Sequence, residues 1–135
     1  MSLLITRPRY DKATHYLFYW AELLIQDARK RRLRVFDLAK SKANRKSVES
    51  YLSKQTPTVV IFNGHGDDAS VRGNNDETLI SINKNTHLLS NKNVFIRACN
   101  AGKQLGSAIM RSGATGFVGY KEPFVFLMDE DSFRE

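Results

Sequence analysis

NVFIRACNAG, residues 93–102, decides the fold together with TVVIFNGHG at residues 58–66. Each stretch begins as a short apolar run rich in Val, Ile and Phe and ends in glycine and polar residues. Such runs are typical of parallel strands that are covered on both faces. Loops at the carboxyl ends of parallel strands carry the binding and reactive groups of open α/β sheets. We therefore expect His65 and Cys99, which follow the two runs, to be functional, and the two runs to form neighbouring strands, since only neighbours would bring these residues together.

The apolar runs recur along the chain in alternation with helical patterns. Five of them predict the main strands, at residues 3–6, 33–38, 58–62, 94–99 and 115–120. Residues 78–82 predict a further short strand or half of a hairpin, whereas residues 67–77 show no helix or strand period. The βαβαβ order at the start of the chain favours a parallel sheet with crossover helices.

Helical periodicity fills the intervals between these runs. Apolar residues recur at the 3.6-residue spacing over residues 13–28, and Asp11 is placed to cap the first turn. Asn44 is placed to cap a second helix, and residues 105–110 predict a third helix that Gly113 ends. The pattern predicts an α/β fold, a three-layer sandwich whose mainly parallel sheet lies between helices.

Length and cysteine content limit the kind of protein this is. At 135 residues the chain is long enough for one domain with a real core, without disulfides or metal. Cys99 is the only cysteine, which excludes an internal disulfide and fits a reducing compartment. No apolar run approaches the roughly 20 residues that span a bilayer, and no signal-peptide pattern is present. We expect a single cytoplasmic domain over residues 1–135, with no membrane partner and no cofactor.

The net charge of +7 raises the question of nucleic-acid binding. The excess lies in two clusters, Arg29, Lys30, Arg31, Arg32 and Arg34, and Lys40, Lys42, Arg45 and Lys46. The first cluster falls at a predicted helix end, where cations complement the helix dipole. The chain has no interleaved aromatic residues, zinc finger or RNA-binding motif. A solvated basic face is therefore favoured, and a nucleic-acid-binding α/β domain is the weakest of the functional alternatives.

A thiol and an imidazole at two strand ends suggest nucleophilic catalysis. A thiol becomes a good nucleophile when a nearby base removes its proton, and His65 is a base of that kind for Cys99. Acyl transfer also needs amide donors for the oxyanion. The N–H of Gly66, which carries no side chain, and that of Cys99 itself are the natural donors. A metal site that includes His87 is disfavoured because the spacing of its candidate ligands is not that of zinc sites.

These motifs resemble those of the caspase-like (clan CD) cysteine peptidases, which include caspases, metacaspases, gingipains, separases and bacterial CHAT domains. The resemblance rests on NGHG at the end of one apolar block and RACNAG at the end of another, and on the LG and GFVGY that follow. It is greatest to the bacterial gingipain-like and CHAT-like branch and covers roughly residues 3–120. It implies the caspase-haemoglobinase fold, a peptide or protein substrate and a dyad of His65 and Cys99, with the amides of Gly66 and Cys99 as oxyanion hole.

The chain departs from the caspase pattern on both sides of the cysteine. Arg97 stands where caspases have Gln, and Asn100 follows the cysteine where they have a basic or small residue. The chain is therefore not a caspase proper. The family fold has a sixth strand, which only residues 124–128 remain to supply. The chain is either a complete domain or a fragment of a longer one.

Three charged residues are the candidates for a substrate pocket. In the family, the residue two before the cysteine often lines the pocket for the side chain that precedes the scissile bond. Arg97 occupies this position and favours an acidic side chain there, which it would bind as a bidentate pair. Asp67 and Asp68 follow the histidine and would either neutralise Arg97 or receive Lys or Arg. A purely structural ion pair of Arg97 is equally compatible with the sequence.

The residues and the resemblance together predict a cysteine endopeptidase that hydrolyses peptide bonds through an acyl-enzyme. The alternative from another class is a non-catalytic caspase-like module that binds a partner protein or peptide. The two differ in one geometric expectation. The imidazole of His65 approaches the sulfur of Cys99 in the peptidase, whereas the module keeps the fold without a complete cleft.

Overall fold

The computed structural model describes residues 1–121. Its strands are Ser2–Arg7 (β1), Arg34–Ala39 (β2), Val59–Asn63 (β3), Ser70–Arg72 (β4), Thr78–Ser81 (β5), Asn93–Arg97 (β6) and Gly116–Val118 (β7). Five of the strands form one sheet in the order β2-β1-β3-β6-β7, and every neighbouring pair in it is parallel. The α/β class and the parallel sheet are therefore confirmed.

Three helices cover the two faces of this sheet: Lys12–Lys30 (α1), Arg45–Lys54 (α2) and Gln104–Arg111 (α3). α1 packs on one face, where its Ile25 lies in a buried cluster with Ile61 of β3. α2 and α3 pack on the other face, against a cluster that includes Phe62. Consecutive side chains of β3 thus pack into the layers on opposite faces of the sheet, because side chains alternate across a strand. Both faces of the strand are buried, which explains its continuous apolar sequence.

Both predicted helix caps are confirmed. The side chain of Asp11 accepts a hydrogen bond from the N–H of Thr14 at 2.9 Å, at the start of α1. The side chain of Asn44 accepts one from the N–H of Ser47 at 2.8 Å, at the start of α2. Each cap satisfies an amide that has no partner inside its helix, which contributes about 1 kcal/mol to stability.

The strand order creates a crevice between β1 and β3. From β1 the chain passes through α1 to β2 on one side, and it then crosses through α2 to β3 on the other side of β1. The loops that leave the carboxyl ends of β1 and β3 therefore lead away in opposite directions. Such points of reversal are where open α/β sheets bind their ligands.

Two segments differ from the sequence-based expectations. β6 ends at Arg97 and not at Cys99, because buried Ala98 begins a turn in which Asn100 adopts a φ of +63°. Residues 67–77, which show no period, contain the short strand β4, which pairs antiparallel with β5. A three-residue strand is too short to show an alternation in sequence. Of the two alternatives for residues 78–82, a short strand or half of a hairpin, the structure shows the hairpin, with β5 as its second strand.

Residues 124–128, the expected sixth strand, lie outside the described residues. Within residues 1–121, no helix is both long enough and apolar enough to span a membrane.

Candidate active site

The two strands that precede His65 and Cys99 are neighbours in the sheet. β3 and β6 pair in parallel, with Asn63 opposite Arg97 at their carboxyl ends. His65 and Cys99 each follow two residues after this pair, so their loops leave the same edge of the sheet. The expected adjacency of the two strands is confirmed.

Gly66 brings the histidine loop into close contact with the cysteine loop. A Cβ atom placed on Gly66 would lie 2.8 Å from Cβ of Ala98 and 3.2 Å from the carbonyl oxygen of Cys99. It would also lie 3.2 Å from the carbonyl oxygen of Ser70. Contacts this short leave no room for a side chain. Only glycine allows the backbone after His65 to lie against the backbone of Cys99.

The side chain of His65 is held by the loop that follows β1. Its Nε2 lies 2.6 Å from a carboxylate oxygen of Asp11. The ring of Tyr10 meets the imidazole edge-on, with 6.0 Å between ring centroids. Since an ionised carboxylate only accepts hydrogen bonds, Nε2 carries the proton and Nδ1 is the basic nitrogen of the neutral ring. The contact spans the crevice between β1 and β3.

Asp11 serves α1 and His65 through different oxygens. Oδ1 accepts from the backbone N–H and the hydroxyl of Thr14, and Oδ2 accepts from His65. Burial of the carboxyl opposes its ionisation, but the hydrogen bonds from Thr14 and His65 outweigh that cost and lower the pKa of Asp11. Asp11 is therefore an anion at neutral pH and would stabilise a protonated imidazole.

Cys99 is half-buried and has a free thiol. Among the described residues, no hydrogen bond joins its sulfur to His65. The backbone N–H groups of Gly66 and Cys99 also donate to no other residue in this part of the chain. Both amides are thus available for an acceptor from outside the chain.

Arg97 packs into the layer between the sheet and α1. Its guanidinium lies 3.9 Å from the ring centroid of Trp20, and that ring meets Phe95 edge-on. Within residues 1–121, the buried Nε of Arg97 and the buried Oδ1 of Asn63 have no hydrogen-bond partner. Buried polar atoms without partners are uncommon. An acceptor would be stabilised beside Arg97 Nε, and a donor beside Asn63 Oδ1.

Asp67 is paired with Arg72 and not with Arg97. A nitrogen of the Arg72 guanidinium lies 2.5 Å from Asp67 Oδ2, and another lies 3.1 Å from Asp76. The N–H of Arg72 also donates to the carbonyl of His65 at 2.8 Å. The carbonyl of Asp68 accepts from the N–H of Leu105, at the start of α3, at 2.8 Å. β4 thus holds the histidine loop in place, and the described residues contain no carboxylate partner for Arg97.

Asp11 is the site residue that sequence analysis assigned only to a helix cap. Its place in the loop after β1, four residues beyond Arg7, was the available signal, since carboxyl ends of parallel strands share one edge. The sequence does not show that β1 lies beside β3, and this adjacency brings Asp11 to His65. Arg72 and Tyr10 were missed for the same reason, because nothing in their local sequence connects them with His65.

Among the described residues, no group of three His, Cys, Asp or Glu side chains could hold a metal ion. Comparisons of the chain with protein-family models, curated protein sequences and solved structures give no significant match.

Proposed function

We propose that this chain is a cysteine endopeptidase of caspase-like fold, with Cys99 as nucleophile and His65 as general base. The observation that carries the proposal is the meeting of two loops at the ends of adjacent parallel strands. One loop presents a thiol, and the other presents an imidazole whose Nε2 is bound to Asp11. The parallel sheet with helices on both faces is compatible with this fold.

The proposed first step is acylation of the thiol. Nδ1 of His65 takes the proton of Cys99 Sγ, and the thiolate attacks the carbonyl carbon of the scissile peptide bond. The oxygen becomes an anion and accepts hydrogen bonds from the N–H groups of Gly66 and Cys99. When the C–N bond breaks, the imidazolium returns its proton to the leaving amine. A thioester between Cys99 and the acyl half of the substrate remains.

Hydrolysis of this thioester completes the cycle. His65 Nδ1 removes a proton from a water molecule, which attacks the thioester carbon. The tetrahedral intermediate then collapses, the C–S bond breaks and Cys99 is protonated again. Asp11 acts through His65 in both steps, because its carboxylate holds the ring orientation and stabilises the imidazolium. Asp11 is therefore a positioning residue.

The absence of a hydrogen bond between His65 and Cys99 in the free protein is compatible with this mechanism. Catalytic hydrogen bonds are often long without substrate and shorten when the substrate binds. His65 is also half-exposed, so its ring has room to rotate about the Asp11 contact.

A second candidate function is a non-catalytic module that binds a protein or peptide at the same edge. Two observations favour it: His65 and Cys99 share no hydrogen bond, and Arg97 is packed against Trp20. In this alternative the two loops form a binding surface without reacting.

Covalent labelling with peptide acyloxymethyl ketones separates the two candidates. We expect the wild-type protein to be labelled at Cys99, with little labelling of His65→Ala and none of Cys99→Ala. Iodoacetamide is the control for thiol access and should still modify Cys99 in His65→Ala. His87→Ala is the matched histidine control, since His87 is exposed and lies outside the site. Equal labelling of the wild type and His65→Ala would contradict the dyad and favour the binding module.

A further inference from the structure

β2 is an edge strand of the sheet within the described residues. Its only strand neighbour there is β1, with which all six of its residues pair in parallel. Apart from the turn that begins at Ala39, no backbone group of Arg34–Ala39 is bonded to a described element other than β1. The outward N–H and C=O groups of this strand are therefore open to a further strand.

The exposed charges at both ends of β2 are all basic. They belong to Arg32 and Arg34 before and at the start of the strand, and to Lys40 and Lys42 directly after it. None of the four forms an ion pair within residues 1–121.

The carboxylates near this edge are already paired with arginines. Asp37, the only acidic residue of β2, binds Arg7 through both oxygens at 2.6 and 2.8 Å. Glu22 of α1 also binds Arg7, at 2.6 Å, and Glu49 of α2 binds Arg45 at 3.4 Å. Asp37 and Glu22 share Arg7 and keep one net negative charge, which the four unpaired cations at the strand ends outweigh.

Basic residues in an unusual backbone conformation bracket the strand. Arg32 has a φ of +62° and Lys40 has a φ of +55°. Left-handed backbone is uncommon for residues other than Gly, Asn and Asp, and it costs of order 1 kcal/mol or more. Asn or Gly would adopt these turns more readily. The chain instead places a long cation at each end of the open edge.

We propose that the open edge of β2 binds an acidic, extended segment of a partner protein as an additional strand. The backbone of such a segment would pair with the outward groups of residues 34–39. Its acidic residues would meet the two basic ends, which lie about 20 Å apart for a six-residue strand. This surface is separate from the His65–Cys99 site, and the proposal does not depend on peptidase activity.

A second copy of this chain is a poorer partner for the edge. Antiparallel pairing of two β2 strands would place the Arg34 end of one copy beside the Lys40 end of the other. Like charges opposite each other in a sheet are destabilising. The same charges that disfavour self-pairing favour an acidic strand.

A nucleic acid is also a poorer fit. The aromatic rings beside this edge are not free to stack on bases, because Phe36 packs against Tyr51 with 5.2 Å between centroids. The guanidinium of Arg34 lies 4.9 Å from the centroid of the Phe36 ring. Proteins that bind single-stranded nucleic acids present open aromatic faces on which the bases stack. The alternating donors and acceptors of a strand edge match a polypeptide backbone instead.

The test uses a nine-residue peptide of alternating Val and Thr with two Glu at each end. Its binding to the full chain is followed by fluorescence anisotropy, and amide hydrogen exchange maps the contact. We expect slower exchange in residues 34–39 and about tenfold weaker binding of a peptide with Lys in place of Glu. Arg34→Glu with Lys42→Glu should weaken binding of the acidic peptide by about tenfold. The control Lys84→Glu with Arg111→Glu changes the net charge by the same amount away from β2. It should change the affinity for the acidic peptide less than about twofold.

Several outcomes would overturn this proposal. One is equal binding of an acidic peptide interrupted by proline, since that would show attraction without strand pairing. Another is unchanged exchange in residues 34–39 when the peptide is bound. Equal losses in the two charge-reversal variants would show an effect of net charge alone. Tight binding of an oligonucleotide without binding of the peptide would assign the edge to nucleic acid.

Discussion

The carboxylate of Asp11 lies 2.9 Å from the amide nitrogen of Thr14 through one oxygen and 2.6 Å from His65 Nε2 through the other. One side chain therefore caps α1 and orients the candidate base. The first function belongs to the stability of the helix and the second to the chemistry of the site. Substitutions that keep one function and remove the other can separate them.

Asp11→Asn should leave the fold intact and impair the thiol chemistry. Asn is as good a helix cap as Asp, so the free energy of unfolding should change by less than about 0.5 kcal/mol. With its oxygen on Thr14, the Asn amide presents a donor to His65, so Nε2 must accept and Nδ1 carries the proton. The ring then has the wrong tautomer for a base. We expect the rate of labelling by the peptide acyloxymethyl ketone to fall at least about tenfold.

Asn44→Ala is the matched control for this experiment. It removes the corresponding cap of α2, whose side chain bonds Ser41 and Ser47 and not His65, and should lower the free energy of unfolding by about 1 kcal/mol. The labelling rate of Cys99 should stay at the wild-type value. A similar fall in both variants would mean that Asp11 acts only through stability.

The lowered pKa of Asp11 predicts a pH dependence of stability. A carboxyl whose pKa is lower in the folded state stabilises the fold above its ordinary pKa of about 3.9. This contribution is lost as the pH falls through the folded-state value. The stability difference between the wild type and Asp11→Asn should therefore shift in favour of the variant as the pH falls below about 5. Urea unfolding at a series of pH values measures this difference.

Asp67 provides a second case of the same kind. Burial opposes its ionisation, but the N–H of Ala69, the hydroxyl of Ser70 and the charge of Arg72 together lower its pKa. The stability advantage of the wild type over Asp67→Asn should likewise decrease in acid. If the stability advantage of the wild type over either variant grew as the pH falls, the lowered pKa of that carboxyl would be contradicted.

Gly66→Ala should separate the two loops of the candidate site. The new methyl group would lie 2.8 Å from Cβ of Ala98 and 3.2 Å from the carbonyl of Cys99, so the loops must move apart. We expect a loss of about 1–3 kcal/mol in the free energy of unfolding, as for other overpacked sites. Labelling of Cys99 should fall more than stability alone explains. The measurements are thermal unfolding and the labelling rate at a temperature where both proteins are folded.

Gly116→Ala is the comparison for Gly66→Ala. A methyl group there would meet mainly the side-chain oxygen of Asn93, at 2.9 Å, and Asn93 is exposed and free to rotate away. Stability and labelling should therefore both change little. Labelling of Gly66→Ala at the wild-type rate would refute the close approach as a requirement of the site.

Arg97 supports a prediction about specificity. Since the described residues leave it without a carboxylate partner, we expect cleavage of a peptide library after acidic residues, and Arg97→Gln should remove the preference. Lys103→Gln, an exposed cation beside the cysteine loop, should retain it. Cleavage only after Lys or Arg would assign the pocket to Asp67 and Asp68. If Arg97→Gln lowers stability and leaves the preference unchanged, Arg97 serves only to pack Trp20.

The sequence predicted the strands and helices of this chain with small differences at their ends. Strands buried on both faces must be apolar throughout, and helices must carry an apolar stripe, so both leave a clear local pattern. The caps at Asp11 and Asn44 were equally readable, because a cap is a contact between residues three positions apart. The three-residue strand β4 was missed, since it is held by its partner and not by its own pattern.

The sequence by itself also determined that His65 and Cys99 follow two such strands. Only the tertiary structure decided that β1 is the other neighbour of β3, so that His65 binds Asp11, and that the two loops approach closely enough for Gly66 to lie against Cys99. Only packing decided that Arg72 forms an ion pair with Asp67 and that Arg97 packs against the ring of Trp20. Except for the pair of Arg72 and Asp67, these contacts join residues far apart in the chain. They depend on strand order and side-chain packing, which leave no periodic signal in the local sequence.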